Sequence, residues 1–196
     1  AMICPEFRVL WDGIELADSL VFNPHKWLGV QFDCAAHFLR DPSDLVRTLA
    51  IRPEYLKTHG AAGIINYSEW SIPLGRRFRA LKLWFVLRTY GLEGLRDRLR
   101  NHVRWSTALA DRLRAHPRFQ IVTEPVLSLF TFRLAGGDDA AQQAFVNRIN
   151  DDGRIYVTQT RVGGATVVRF QVGQFDVTEA DLDMAYETLV NLAGDA

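Results

Sequence analysis

The sequence lacks an excess of charge of either sign, because 23 lysines and arginines are matched by 23 aspartates and glutamates in a chain of 196 residues. Proteins that bind nucleic acid or an anionic membrane surface through their overall charge carry a clear positive excess. The composition therefore favours neither class of partner. Small molecules and other proteins remain as the expected partners.

Cysteine is also scarce, since Cys4 and Cys34 are the only two and could form at most one disulfide. Small secreted domains depend on several disulfides, so we expect a reducing, cytoplasmic location. The chain also lacks an apolar run near the roughly 20 residues needed to cross a bilayer, and it lacks a signal peptide pattern at its start. It begins at Ala1 without an initiating methionine, and we expect it to be part of a longer chain.

The residues that are present, 48% hydrophobic and 23% charged, are typical of a globular protein. Short apolar runs at 20–23 and 35–39 predict two buried strands. A helical period over 76–90 predicts a helix that ends at Gly91, where glycine accepts a left-handed conformation at low cost. A second apolar stripe from Leu92 to Leu113 predicts another helix directly afterwards.

The last third of the chain has the pattern of a small mixed domain. The predicted elements are strands at 119–123 and 128–134, a helix at 138–152 ended by Gly153, strands at 155–158 and 167–172, and a final helix capped by Thr178 with Asp181. Two strands, a helix, two strands and a helix form an arrangement in which helices cover one side of a mainly antiparallel sheet. This part is therefore predicted to be α+β.

Lys26 is the first candidate for chemistry. It follows a predicted buried strand and stands between His25 and Trp27, so we expect its amine to be withdrawn from solvent. A desolvated lysine amine is a nucleophile toward an aldehyde. The simpler alternative is a lysine whose stem lies along a strand end while its ammonium reaches water.

The neighbours of Lys26 favour the chemical alternative. The segment Asn23-Pro24-His25-Lys26-Trp27, followed by Phe32-Asp33-Cys34, resembles the cofactor-lysine segment of the group II pyridoxal-phosphate-dependent decarboxylases, in their aromatic L-amino-acid decarboxylase branch. The resemblance continues through Pro53-Glu54-Tyr55-Leu56-Lys57, the run WSIPLGRRFRALK at 70–82, Pro117-Arg118-Phe119 and Val168-Arg169-Phe170. It covers essentially the whole chain, in order and without large gaps.

The resemblance implies an α/β fold. Residues 1–82 would be the end of the large pyridoxal-phosphate-binding domain of a fold-type-I enzyme, with a catalytic loop at about 52–66. Residues 83–196 would form the small C-terminal α+β domain.

The resemblance also assigns roles to individual residues. Lys26 would bind pyridoxal 5'-phosphate as a Schiff base, and Tyr55 would be the proton donor on a loop that closes over the site of a neighbouring subunit. Asn23 matches a residue that helps bind the cofactor phosphate, although it could simply end the strand. His25 would either bond the phosphate or pack, with equal weight. Gly75 matches a position that lines the substrate pocket, although it could also be a helix-start residue.

The implied reaction is α-decarboxylation of an aromatic L-amino acid to an arylalkylamine and carbon dioxide, without a metal ion. Tryptophan, tyrosine, phenylalanine and dihydroxyphenylalanine all remain possible substrates. The family's ring-nitrogen aspartate, ring-stacking histidine and phosphate-binding serine loop precede the segment that matches Ala1. We therefore expect activity only together with the N-terminal half, as a separate polypeptide or as preceding sequence, in a homodimer of the complete enzyme.

Two alternatives remain open. One is an aromatic aldehyde synthase of the same family, although the presence of Tyr55 argues against it, because such relatives resemble decarboxylases in which that tyrosine is replaced. The other is a truncated, non-catalytic module that binds a full-length partner.

Overall fold

The computed structural model describes residues 1–51 and 65–194. The chain divides into two compact units, which are Val9–Gly91 and the combination of Ala1–Arg8 with Leu92–Ala196. Among the described residues, no helix combines the length and the apolar character that a membrane crossing requires. Cys4 and Cys34 are both free thiols, and both are buried.

The unit Val9–Gly91 contains a small hairpin. Strands β1 (Ser19–Phe22) and β2 (Ala36–Leu39) pair antiparallel, with Ser19 opposite Leu39 and Phe22 opposite Ala36. A short helix, α1 (Ser43–Leu49), follows, and 3-10 turns lie at Ile14–Leu16 and Tyr67–Trp70. The segment between the two strands carries Lys26, so the hairpin fixes both ends of the candidate site.

The two strands were predicted correctly, but their predicted burial was wrong. The side chains of Val21, Phe22 and Phe38 are 59%, 41% and 55% exposed, and the two phenylalanine rings stack with their centroids 5.8 Å apart. Within the described residues, β1 and β2 pair only with each other, and these three apolar side chains stay largely uncovered. An apolar run indicates a strand, but it does not say which layer would bury it.

The helix α2 (Arg79–Ala115) is interrupted at Gly91, whose φ of 64° and ψ of 177° are not helical. The predicted break at Gly91 is thus confirmed, while the helix begins at Arg79 rather than at Arg76. The predicted apolar stripe after Gly91 is confirmed from Leu95 onward, but its first residue, Leu92, is 49% exposed. The buried residues of the helix are Leu95, Leu99, His102, Ser106, Leu109, Ala110 and Leu113.

The second unit is an antiparallel sheet covered by helices, so the predicted α+β arrangement is confirmed. Its further elements are β3 (Phe119–Val126), β4 (Leu129–Leu134), α3 (Asp139–Asp152), β5 (Thr158–Val162), β6 (Ala165–Gln171) and α4 (Glu179–Ala193). The strand order is β3-β4-β6-β5, and every neighbouring pair is antiparallel. The core joins Phe130 and Phe132 of the sheet to Leu113, Phe145 and Leu189 of the helices.

The predicted strand at 155–158 was wrong, because β5 begins only at Thr158. The side chain of Asn150 takes both peptide groups of Val157: its Nδ2 donates to the Val157 carbonyl at 3.0 Å, and its Oδ1 accepts from the Val157 N–H at 2.9 Å. The Val157 N–H is therefore not available to pair with a neighbouring strand. The observed strand is an exposed edge with the polar sequence TQTRV, which has no apolar alternation to reveal it.

The predicted helix ends are confirmed in this unit. The Asp138 carboxylate accepts from the Ala141 N–H at 2.8 Å, and Gly153 ends α3 in the left-handed conformation with φ 80°. The Asp181 carboxylate accepts from both the N–H and the hydroxyl of Thr178, at 2.8 and 2.7 Å. These local hydrogen bonds explain why the boundaries were visible in the sequence.

Candidate active site

Lys26 lies in a tightly hydrogen-bonded turn that directly follows β1. The Lys26 N–H donates to the Asn23 carbonyl at 3.0 Å, and the Lys26 carbonyl accepts from the Gly29 N–H at 3.0 Å. The Val30 N–H closes the turn by donating to the Pro24 carbonyl at 3.1 Å, and both of these residues are buried. Gly29 has a φ of 75°, which only glycine adopts at low cost. The backbone of Lys26 is therefore fixed on both sides.

Lys26 is an exposed residue in the described chain, so its expected withdrawal from solvent is wrong. The reason is that the turn stands beyond the end of the hairpin, where neighbouring residues hold the backbone and not the side chain. The alternative, in which the ammonium reaches water, agrees with this exposure, although Lys26 lies in the turn after β1 and not at the strand end itself. Lys26 is therefore an exposed lysine on a backbone that hydrogen bonds hold in place.

His25 connects this turn to the segment that precedes β2. The His25 backbone N–H donates to the Cys34 carbonyl at 3.2 Å. Its ring Nδ1 lies 2.6 Å from the same oxygen and 3.0 Å from the Cys34 nitrogen, and the tautomer decides which of the two is its partner. In either tautomer Nδ1 is committed to the Cys34 peptide. The ring also packs edge-on against Phe32, with the centroids 5.0 Å apart, so the packing role is present and Nε2 takes no part in these contacts.

Two cations at the start of α2 hold the Gln31–Cys34 segment. The Arg79 guanidinium donates to the Asp33 carboxylate at 3.0 Å, in an ion pair whose side chains are about one-third exposed, at 34% and 37%. The Lys82 ammonium donates to the carbonyls of Gln31 and Asp33 at 2.9 and 2.6 Å. The hydrogen bond from Arg79 is the main reason that the pKa of the Asp33 carboxyl lies below its ordinary value. Asp33 therefore stays ionised beside its two cations.

The predicted site residues fall into three groups. Asn23, His25 and Lys26 lie together in one turn; Asn23 is half-buried, and its carbonyl accepts from Lys26. Gly75 is exposed and lies before α2, which begins at Arg79, so it is not a helix-start residue. A Cβ built on Gly75 would meet no atom within 4 Å. Tyr55 and most of the predicted catalytic loop lie outside the described residues.

Sequence reasoning did not assign any role to Arg79, Lys82 or Asp33. The available signal was the spacing of Arg79 and Lys82, which are three positions apart and therefore share one face of a helix. The partner segment is 46 positions away from Arg79 in the chain, and no periodic pattern links residues at that distance.

Comparison with known proteins gives consistent results in sequence and in structure. Residues 1–135 match the family model described as the pyridoxal-dependent decarboxylase conserved domain. The aromatic-L-amino-acid decarboxylase of Rattus norvegicus is 44% identical over 195 residues, which are 98% of this chain and 40% of that protein.

Two solved structures are also similar. A crystal structure of Oryza sativa TDC with PLP and tryptamine has a TM-score of 0.91 and 36% identity, over 97% of this chain and 41% of that one. The 4-hydroxyphenylacetaldehyde synthase of Rhodiola rosea has a TM-score of 0.85 and 31% identity, over 97% of this chain and 40% of that one.

The chain thus spans about 40% of the length of these relatives. The family model covers well over half of the chain, and the fold agrees with that of solved family members along nearly all of it. The chain therefore belongs to the pyridoxal-dependent decarboxylase family, and Lys26 and the Gln31–Cys34 segment lie within the matched residues.

Proposed function

We propose that this chain carries the cofactor lysine of a pyridoxal-phosphate-dependent enzyme that removes the α-carboxylate from aromatic L-amino acids. The observation that carries the proposal is the family match over a segment in which Lys26 is exposed on a fixed backbone. An amine in this position is what covalent attachment to an aldehyde cofactor requires.

The residues of the turn fit the cofactor by their chemistry. Lys26 supplies the amine for the aldehyde, and the side-chain amide of Asn23 supplies a neutral donor for phosphate oxygens. His25 uses Nδ1 to hold the turn and keeps Nε2 for a second contact. When bound, pyridoxal phosphate supplies the electron sink that stabilises the charge left by the departing carboxylate. The protein's task is to bind, orient and protonate.

We assign the proton step to Tyr55. Its phenol carries a proton at neutral pH and would deliver it to the α-carbon of the substrate after carbon dioxide has left. A closing loop would exclude water from that carbon during the step. In the homodimer of the complete enzyme, Tyr55 would serve the cofactor bound to Lys26 of the neighbouring subunit.

We propose that activity needs the rest of the enzyme, since the chain spans about 40% of its relatives. Residues 1–82 would complete the large cofactor-binding domain and 83–196 would form the small domain. The groups that face the ring nitrogen and the remaining phosphate oxygens would come from the N-terminal half, in the same or in a second polypeptide. Both described cysteines are free thiols, which fits a reducing cytoplasm.

The substrate assignment rests on the relatives and on Gly75. The similar proteins include an aromatic-L-amino-acid decarboxylase and a structure with tryptamine. The open space around Gly75 is compatible with a wide aromatic ring beside it. The test is amine formation from tryptophan, tyrosine, phenylalanine and dihydroxyphenylalanine, assayed side by side with the complete enzyme. Amine from at least one of them is expected, and release of none would overturn the assignment.

The second candidate is an aromatic aldehyde synthase, because one similar solved structure is a 4-hydroxyphenylacetaldehyde synthase. The presence of Tyr55 favours the decarboxylase. Both reactions release carbon dioxide, and the other products separate them: the decarboxylase gives the amine, whereas the synthase consumes dioxygen and water and gives the aldehyde, ammonia and hydrogen peroxide. We expect amine from the native enzyme, and Tyr55→Phe should shift the products toward aldehyde. Aldehyde as the main product of the native enzyme would make the second candidate correct.

A further inference from the structure

The first turn of α2 places two cations where the helix itself disfavours them. Arg79 is its first residue and Lys82 its fourth, and no acidic residue lies in that turn. The aligned peptide dipoles give a helix N-terminus a partial positive charge, so a cation there is disfavoured. Both side chains instead find oxygen partners outside the helix, in the Asp33 carboxylate and in two backbone carbonyls.

Stability alone does not account for this arrangement. Asp33 and Arg79 are each about one-third exposed, at 37% and 34%, and partly exposed ion pairs contribute little to stability because water screens them. The contacts do have a strong geometric effect, because Lys82 and Arg79 together bind two residues of one segment, Gln31 and Asp33, at three oxygen-bearing groups. A segment held at a carboxylate and at two carbonyls cannot shift its register relative to α2.

The held segment leads directly to the candidate cofactor lysine. Cys34 is buried, and its peptide group binds both the backbone N–H and the ring Nδ1 of His25. His25 precedes Lys26, whose own peptide groups are fixed within the turn. The path from α2 to the amine therefore has two hydrogen-bonded steps, from α2 to residues 31–34 and from Cys34 to His25.

We propose that Arg79 and Lys82 are positioning residues for Lys26. They hold the Gln31–Cys34 segment, and that segment holds the turn from which the amine reaches the cofactor. Neither cation touches the reacting atoms in this role; each acts through the backbone between α2 and Lys26. The inference rests on the proposed function, since it assumes that Lys26 binds pyridoxal phosphate.

The test uses the complete enzyme and measures its dissociation constant for pyridoxal phosphate by absorbance titration, together with the fraction of Lys26 labelled after borohydride reduction. Asp33→Asn and Arg79→Gln should each weaken cofactor binding about tenfold, the usual size for a group that supports a ligand from behind its direct contacts. The double variant should be no weaker than the worse single variant, because both changes break the same interaction. Arg79→Lys should recover most of the loss.

Lys82→Met provides an independent arm, because it removes the two carbonyl contacts and leaves the Arg79 ion pair. Arg47→Gln is the matched control, since Arg47 forms an exposed ion pair with Asp44 on another helix of the same unit. We expect weaker cofactor binding for Lys82→Met and native binding for Arg47→Gln. The melting temperature of the cofactor-free protein should not fall more in the test variants than in the control.

Two results would overturn the inference. One is native cofactor affinity and native labelling in Asp33→Asn, Arg79→Gln and Lys82→Met. The other is a loss of affinity that is additive in the double variant and is accompanied by a larger fall in melting temperature than in Arg47→Gln. That result would make the contacts merely structural. Failure of the proposed function looks different, because Lys26 would then remain unlabelled in the native enzyme as well.

Discussion

The Nδ1 atom of His25 lies 2.6 Å from the carbonyl oxygen of Cys34. This contact explains how a histidine beside the candidate cofactor lysine can both hold the turn and contribute to the site. Nδ1 is committed to the Cys34 peptide, and Nε2 takes no part in that contact. The two roles that the sequence left open for His25 therefore do not exclude each other.

Substitutions at His25 separate these two roles. His25→Phe keeps a ring against Phe32 but removes both nitrogens, so the dissociation constant for pyridoxal phosphate should rise about tenfold. His25→Asn places an amide near the position of Nδ1 and should recover most of that loss by binding the Cys34 peptide. Cofactor titration of the complete enzyme gives both values. Equal losses in the two variants would contradict a backbone-holding role for Nδ1.

Gly91 is expected to be sensitive to any side chain. Its φ of 64° and ψ of 177° belong to a region that residues other than glycine rarely adopt. Gly91→Ala should therefore lower the free energy of unfolding by about 1–3 kcal/mol, measured by urea unfolding of the 196-residue chain. Gly75→Ala is the matched control, because Gly75 has no positive φ and open space around it. An unchanged or higher stability of Gly91→Ala would show that the break in α2 is not imposed by this conformation.

Phe132 tests the core of the small α+β unit. Its side chain is fully buried and meets the ring of Phe119 edge-on, with the centroids 5.7 Å apart. Phe132→Ala should cost about 3–5 kcal/mol of unfolding free energy, because it removes buried apolar surface and leaves a cavity. Tyr156→Ala, at a position that is 80% exposed, should change stability by no more than about 0.5 kcal/mol. Similar effects of the two changes would contradict the observed core.

His102 should make the stability of the chain depend on pH. Burial lowers its pKa to about 4, and the charge of Arg98 acts in the same direction. In the unfolded chain the pKa of histidine is about 6.5, so between the two values the unfolded state binds a proton that the folded state does not. The free energy of unfolding should therefore fall as pH falls from about 6.5 to about 4, by up to about 1.4 kcal/mol per pH unit.

The measurement for His102 is urea unfolding at a series of pH values in that window. His102→Leu removes the titrating group, so its stability should vary less steeply with pH than that of the native chain, whatever its absolute stability. Equal slopes for the variant and the native chain would show that His102 does not carry this dependence.

The small α+β unit was predictable because its signals are local. Phe130, Phe132 and Leu134 alternate along one strand, and Gly153 and Thr178 mark helix ends through bonds to near neighbours. The position of β5 was missed because a side chain seven positions earlier takes the peptide groups that would otherwise form a strand. Local pattern carries no information on such a competitor.

The sequence predicted that Asn23, His25 and Lys26 lie together, but it did not predict which residues hold their turn in place. The resemblance around Lys26 pointed to the amine, and the structure fixed its backbone by turn hydrogen bonds. The contact between Arg79 and Asp33 joins two segments 46 positions apart, and only the folded chain brings them together. The burial predicted for Lys26 failed for a related reason, because an apolar neighbourhood in sequence need not surround the side chain in space.

The most direct test of the central claim is borohydride reduction of the complete enzyme with pyridoxal phosphate, followed by peptide mapping. Lys26, Lys57 and Lys82 are the lysines of this chain, so three sites are distinguishable. The account predicts a pyridoxyl label on Lys26 and its loss in Lys26→Ala, with Lys57 and Lys82 unlabelled. A label on either of the other two lysines, or none in enzyme that contains the N-terminal half, would contradict it, and the second result would instead favour a non-catalytic module.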